Sequence, residues 1–262
     1  MSETTGRFAG KQAIVTGGAR GIGLGCVHRL AAEGARVLMV DLLEDEGRAA
    51  TDGLKAAGFD VRFRRADAGD VHDIAAVVDE AAAIGAIDIL VCAAGIGASA
   101  TTFLELSIED YDRVQRVNLR GPLLLAQGVA RKMLAERRAG VIVFVSSVAA
   151  VLASPEQSAY CIIKAGLGML VKLMGVELAS HGIRVNAVAP GPVRTEMAEH
   201  HAATPGAREA MMLRTPIGRM AEIAEIAGTV AFLASDDAGF FAGQSLYADG
   251  GRLALNHTVS IA

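Results

Sequence analysis

Tyr160 and Lys164 stand four residues apart, a spacing that brings a phenol and an ammonium onto one face of a helix. A tyrosine ordinarily gives up its proton near pH ~10, too high for a base at neutral pH. A fixed cation alongside favours the phenolate and lowers that value. Moving it into the neutral range would correspond to about 4 kcal/mol of preference for the ionised form. A tyrosine tuned in this way serves as a general acid and base without any histidine. The local run is Ser158-Ala159-Tyr160-Cys161-Ile162-Ile163-Lys164-Ala165-Gly166, and two adjacent hydroxyls, Ser146 and Ser147, precede it. Ordinary surface helices carry the same spacing by chance, so the pair gains meaning from the elements around it.

Those elements alternate. Short apolar runs predict strands at Gln12–Thr16, Arg36–Val40, Val61–Arg65, Ile87–Cys92, Val141–Val145, Ile183–Val188 and Gln244–Ala248. Between them, helices are expected at Gly21–Glu33, closed by Gly34, and at Glu44–Ala57, closed by Gly58. Further helices are expected at Asp70–Ile84, Ser158–Ser180 and Ala221–Ala234. Ser107–Arg138 reads as one long helical zone with Pro122 near its middle as a kink. Near-continuous apolar strands alternating with amphipathic helices imply an α/β fold, a parallel sheet covered on both faces and doubly wound by right-handed crossovers. The 262 residues contain no Gly/Ser/Pro linker and no solenoid repeat, so a single domain over 1–262 is expected. The irregular stretch from Pro190 to Arg219 holds Pro190, Pro192, Pro205 and Pro216. Such an interruption suits a lid over a substrate pocket, or a surface used in subunit packing.

The first strand runs into Thr16-Gly17-Gly18-Ala19-Arg20-Gly21-Ile22-Gly23, which opens the first helix. Glycines allow positive φ and close backbone approach, and the free N–H groups of a helix start bind an anion such as pyrophosphate. In that strand–turn–helix context Gly17, Arg20, Gly21, Ile22 and Gly23 are expected to bind a dinucleotide. Asp41 ends the second strand at the spacing of a ribose contact. Its carboxylate would accept the ribose hydroxyls and repel a 2′-phosphate, favouring NAD over NADP. Arg20 argues the other way, but Leu42, directly after Asp41, supplies no cation.

Bulk composition narrows the rest. Hydrophobic residues make up 52%, enough for a large core, and the net charge is −4 with no long basic run, which disfavours nucleic acid. The short cluster Arg62-Phe63-Arg64-Arg65 reads as a solvated strand end. Cys26, Cys92 and Cys161, an odd count without C-x-x-C spacing, form neither a disulfide framework nor a zinc site, so a reducing cytoplasm is expected. The start, Met1 to Arg7, has no apolar signal segment, and the apolar run Val141–Ala153 is too short to span a bilayer, so no membrane role is expected. His200-His201 in the lid lack carboxylate or cysteine partners at ligand spacing, so no metal is expected. His28, His72, His181 and His257 read as packing or surface residues.

Taken in order, these motifs resemble those of the single-domain short-chain dehydrogenase/reductases over about Gly10 to Gly251. The resemblance implies a Rossmann-like domain of about seven strands with helices on both faces. It implies that Asp67, with Ala68 beside it, meets adenine, and that Cys92-Ala93-Ala94-Gly95 replaces the family's Asn-Ala-Ala-Gly. Cys92 departs from that pattern, which puts the rigidity of the fourth strand's end in question. Asn118 matches the catalytic asparagine and Ser147, thirteen residues before Tyr160, the catalytic serine. Pro190-Gly191-Pro192-Val193-Arg194-Thr195 resembles the segment holding the nicotinamide carboxamide, and Asp249-Gly250-Gly251 the C-terminal signature. Pro190, Gly191, Val193 and Thr195, with Cys92, Ala94 and Gly95, thus join Tyr160 and Lys164 in the expected cofactor site.

The implied chemistry is interconversion of a secondary alcohol and a ketone with NAD(H). Tyr160 moves the proton, Ser147 orients the substrate oxygen, Lys164 lowers the Tyr160 pKa and Asn118 holds a water. Glu156 reads as a solvated carboxylate or as a contact to a polyol hydroxyl. The apolar lid residues Met197, Met211, Met212 and Leu213 leave polyols, sugars, hydroxy acids and cyclic ketones open as substrates. The alternative is a catalytically inactive NAD-binding sensor or structural protein. A serine hydrolase would need G-x-S-x-G, which is absent. An enoyl reductase of this family spaces Tyr and Lys further apart. The resemblance also implies a homotetramer, built through the helices that hold Asn118 and Tyr160.

Overall fold

A computed structural model describes residues 6–196, 198–199, 206–256 and 258. Met197, His200, His201, Pro205 and His257, each read above, lie outside the described residues, as does the start of the chain, Met1 to Thr5. The seven strands are β1 (Gln12–Thr16), β2 (Arg36–Asp41), β3 (Val61–Arg65), β4 (Ile89–Cys92), β5 (Gly140–Val145), β6 (Ile183–Pro190) and β7 (Ser245–Ala248). They form one sheet in the order β3-β2-β1-β4-β5-β6-β7, every pair parallel. The helices are α1 (Gly21–Ala32), α2 (Glu44–Ala56), α3 (Val71–Ile84), α4 (Ile108–Gln115), α5 (Gly121–Ala135), α6 (Ser158–Leu178), α7 (Ala207–Met212) and α8 (Ile223–Ala234).

Alternate residues of the strands feed two apolar layers. Val37, Met39, Val91 and Val143 meet Val27 and Leu30 of α1, Leu54 of α2 and Val230 of α8. Leu38, Leu90, Ile142 and Phe144 meet Val77 of α3, Val129 of α5 and Leu167 and Val171 of α6. The strand order reverses between β1 and β4, and a parallel sheet opens a ligand crevice at the carboxyl ends of the strands there. Helix α6 is apolar and long enough to cross a membrane by length and composition, but its inner face, with Leu167 and Val171, is buried on the sheet.

The expected continuous helix over 107–138 is interrupted. α4 stops at Gln115, Arg116–Arg120 form a π-type turn, and α5 begins at Gly121 with Pro122 in its first turn. Pro122 has no N–H to give the Asn118 carbonyl four residues earlier, so that oxygen is released from the helical ladder. The turn also packs tightly. A Cβ on Gly121 would stand 1.8 Å from the Ala68 carbonyl oxygen, which is backbone and cannot yield. Gly121→Ala therefore forces the π-type turn off the β3–α3 loop. It is expected to cost about 1–3 kcal/mol and to lower Tm by at least about 3 °C, read by a thermal melt of the purified chain.

Candidate active site

Two loops meet at the switch point. Gly17 has φ of +68°, and a Cβ there would stand 2.7 Å from the Ala94 Cα, so only glycine lets the β1 and β4 loops touch. Gly23 comes as close to the Gly17 carbonyl, where a Cβ would stand 1.9 Å from the oxygen. α1 starts at Gly21 with no side-chain cap from Arg20. Its first-turn N–H groups are left for an anion, and the residues present fit a dinucleotide pyrophosphate. Asp41 faces this turn: its carboxylate accepts the Ala19 N–H at 2.9 Å and the Leu43 N–H at 3.1 Å. Asp67 accepts from Gly69 N–H at 2.7 Å and Arg116 at 2.8 Å, and those bonds hold its carboxyl below the usual range against the opposing effect of burial. Gly191 lies against Asp249, and Thr195 sits 3.7 Å from where a Gly21 Cβ would be.

Cys92 is buried, and burial pushes its thiol up, so it stays protonated. The loop after β4 is tethered twice. The Thr16 hydroxyl accepts the Ala94 N–H at 3.3 Å. Asn118, 1% exposed, accepts the Ile96 N–H and donates to the Ile96 carbonyl, both at 2.8 Å. The Asn118 side chain is thereby spent on the β4 loop.

Ser147, Tyr160 and Lys164 come together. Ser147 follows β5 with extended backbone, accepts the Ala149 N–H at 3.1 Å, and its hydroxyl lies near enough to the Tyr160 phenol to favour the ionised form. Lys164 Nζ lies 5.5 Å from the Tyr160 ring centroid and donates to the Val145 carbonyl at 3.0 Å. Ser146 is buried, its backbone N–H bonds the Val188 carbonyl at 2.7 Å, and its hydroxyl has no protein partner. Tyr160 packs on a small apolar cluster with Ile96, Ala98, Leu106, Val114 and Ile163.

That cluster corrects one expectation. The phenol is not lowered by Lys164: burial raises its pKa, and Ser147 opposes the rise only in part. Burial acts on the amine too, and pushes Lys164 down from 10.5 to about 8. The ammonium makes its hydrogen bond to a neutral carbonyl while it faces the ring.

Glu156 has φ of +62°, one of two non-glycine residues with positive φ among those described, and sits at the mouth of this helix start. Its carbonyl accepts the Thr101 N–H at 3.3 Å. The expected lid is stapled at its base. Val193 bridges Ala221, with Arg194 N–H donating to the Ala221 carbonyl and Ala221 N–H to the Pro192 carbonyl, each at 2.9 Å. Glu196 reaches Arg20 at 2.6 Å. A cleft of about 370 Å³ lies behind the staple, lined by Pro192, Thr215, Ile217 and Tyr247, and none of the four candidate catalytic residues lines it. Sequence reasoning missed Thr16, Ile96 and Arg116. Their roles are hydrogen bonds across the sheet and have no local spacing.

The comparisons with known proteins agree with this geometry. Residues 17–252 match a family model described as enoyl-(acyl carrier protein) reductase. The chain is 40% identical over 250 residues to a D-threitol dehydrogenase of Mycolicibacterium smegmatis, covering 94% of each chain. It is 37% identical over 249 residues to an L-rhamnose 1-dehydrogenase (NAD(P)(+)) of Azotobacter vinelandii, covering 92% of this chain and 96% of the other. A crystal structure of a gluconate 5-dehydrogenase from Burkholderia cenocepacia, in complex with NADP and tartrate, superposes with a TM-score of 0.90 at 34% identity, over 97% of this chain and all of the other. The protein is thus an oxidoreductase that acts on CH–OH groups and uses a nicotinamide dinucleotide. Within that class, the chain belongs to the short-chain dehydrogenase/reductase family.

The buried amine sets a pH dependence. Between about 8 and 10.5 the unfolded chain keeps a proton that folded Lys164 has lost, so stability rises with pH through that window. Lys164→Met is expected to abolish that slope and to raise unfolding free energy at pH 7 by about 2 kcal/mol. Urea titrations at pH 7 and pH 10 check it: the gain at pH 7 should shrink at pH 10.

Proposed function

We propose that the protein interconverts a secondary alcohol and a ketone with NAD(H), using Tyr160 as general acid and base. The observation that carries this reading is the contact of Ser147, Tyr160 and Lys164 on the carboxyl edge of the sheet, beside the glycine turn. The nicotinamide, when bound, supplies or accepts the hydride. The residues do the rest. Ser147 donates its hydroxyl hydrogen to the substrate oxygen and fixes it near the Tyr160 phenol. In ketone reduction Tyr160 gives its proton to that oxygen, which suits a phenol kept neutral by burial. In alcohol oxidation it takes the proton, and Ser147, which opposes the rise caused by burial, favours the phenolate that precedes it. Lys164 also has hydrogens free for ribose hydroxyls, since the Val145 carbonyl takes one. The Asn118 carbonyl accepts a water that passes protons between Lys164 and solvent.

The cofactor preference is for NAD, because Asp41 would accept the ribose hydroxyls. Gly17, Arg20, Gly21, Ile22 and Gly23 hold the pyrophosphate, Asp67 and Ala68 the adenine, and Ala94, Gly95, Pro190, Gly191, Val193 and Thr195 the nicotinamide half. The substrate is a small alcohol or ketone under the 190–219 lid, and sugars and polyols fit the names of the relatives. With all three cysteines free, the reading places the enzyme in the reducing cytoplasm.

Tyr160→Phe removes the exchangeable proton and keeps the packing. It is expected to lower kcat by at least ~10²-fold while NADH still binds, as read by fluorescence titration. Turnover near the wild-type rate would reject the assignment.

The same reading makes the protein a homotetramer. Ile162, Met169, Leu173 and Val176 line the outer face of α6, and Val176 is 80% exposed. Phe240, fully exposed before β7, offers a second apolar contact. A Met169→Glu, Val176→Glu double variant is expected to drop the mass seen by light scattering below that of the wild type. An unchanged mass would place the interface elsewhere.

A further inference from the structure

We propose that Asp110, on α4, is a positioning residue: with Arg113 it holds the segment after β4 as a wall that keeps water from the Tyr160 phenol. This rests on the reading that Tyr160 moves the proton. The segment from Ile96 to Thr101 links the end of β4 to the entry of α6, and it is fastened at both ends. Ile96 is held by the Asn118 amide through two bonds of 2.8 Å. Thr101 bridges Gln157, and its N–H donates to the Glu156 carbonyl at 3.3 Å. Between those points, the bonds among the described residues come from one pair of side chains on α4. Asp110 accepts the Ser99 N–H at 2.9 Å and the Ser99 hydroxyl at 3.1 Å. Arg113, one helical turn on, donates to the Gly97 carbonyl at 3.2 Å while its guanidinium is paired with Asp110.

The same segment completes the surroundings of the phenol. Ile96 and Ala98 pack, as Tyr160 does, on the apolar cluster of Val114, Ala159 and Ile163. Helix α4 thus acts twice: Val114 is a fully buried member of the cluster, and Asp110 and Arg113 hold the loop that packs on it. The Asp110 side chain is only 12% exposed, although it stands in the first turn of a surface helix. The polar and titratable groups around the phenol come from other segments: Lys164 and Cys161 from α6, Tyr111 from α4 and Ser147 from the turn after β5. Ile96 to Thr101 carries no charge, so it acts on Tyr160 by excluding water. Burial is the largest influence on that phenol, and it raises the pKa. Untying the segment at Asp110 therefore moves the phenol back toward its ordinary value.

The test is a pH titration of tyrosinate absorbance in the full chain, with the Tyr160→Phe counterpart of each variant as the blank that isolates Tyr160. The chain has three tyrosines and no tryptophan, which keeps the signal simple. Wild-type Tyr160 is expected to titrate above pH ~10. In Asp110→Ala it should titrate about half a unit lower, and amide exchange at Ser99, read near neutral pH, should quicken. Asp110→Asn removes the charge but keeps an acceptor for Ser99, and should stay near the wild type. Ser107→Ala removes the cap of α4, a 3.1 Å bond to the Asp110 N–H, and should lower Tm without moving Tyr160. An unmoved Tyr160, or unchanged exchange at Ser99, in Asp110→Ala overturns the inference. So does an equal shift in Asp110→Asn, which would assign the effect to charge, or in Ser107→Ala, which would assign it to loosening of α4. The readout needs no substrate, so it is separate from the test of the proposed function, whose own failure is normal turnover by Tyr160→Phe. Circular dichroism over the same pH range verifies that each variant is folded.

Discussion

A charged amine in a dry place organises this molecule. Lys164 is 5% exposed, yet it carries a group whose ionised form strongly prefers water. Among the described residues, the fold supplies it with the Val145 carbonyl at the end of β5 and the face of the Tyr160 ring, and no carboxylate. The amine is left poised close to neutrality rather than locked in an ion pair, and it keeps hydrogens to spare. The turn after β5, the helix start at Ser158 and the cluster around Val114 and Ile163 hold that arrangement in place.

The rest of the site is braced by interactions that cross between elements. Asn118 spends its amide on Ile96, and Thr16 takes the Ala94 N–H, so the loop after β4 is tied to both β1 and the π-type turn. Arg116 in that turn reaches back to Asp67 after β3. The loops after β3 and β4 are thus tied to the same segment. Cys92 fits this scheme as a small buried filler at the end of β4.

Much of this was legible in the chain itself. Most of the strands announced themselves as short apolar runs, β3 by the alternation of Val61 and Phe63 with arginines, and the glycine turn lay where a strand meets a helix, so the sheet followed from local pattern. Two features were not legible, each for a physical reason. The break at Arg116–Arg120 depends on the missing Pro122 N–H together with the close approach of Gly121 to Ala68, and the second contact exists only in three dimensions. The direction of the Tyr160 shift was misjudged because spacing reveals which groups are near and says nothing about how little water reaches them.

The bridge between Val193 and Ala221 has a consequence for how such proteins diversify. It fastens the way into the excursion to the way out, immediately above the sheet. For a segment whose feet are already pinned, extra residues add closure entropy only logarithmically. Insertions and deletions between those feet are therefore cheap for the scaffold, while Ser147, Tyr160 and Lys164 stay where they are. Evolution is free to reshape that excursion without disturbing the sheet beneath.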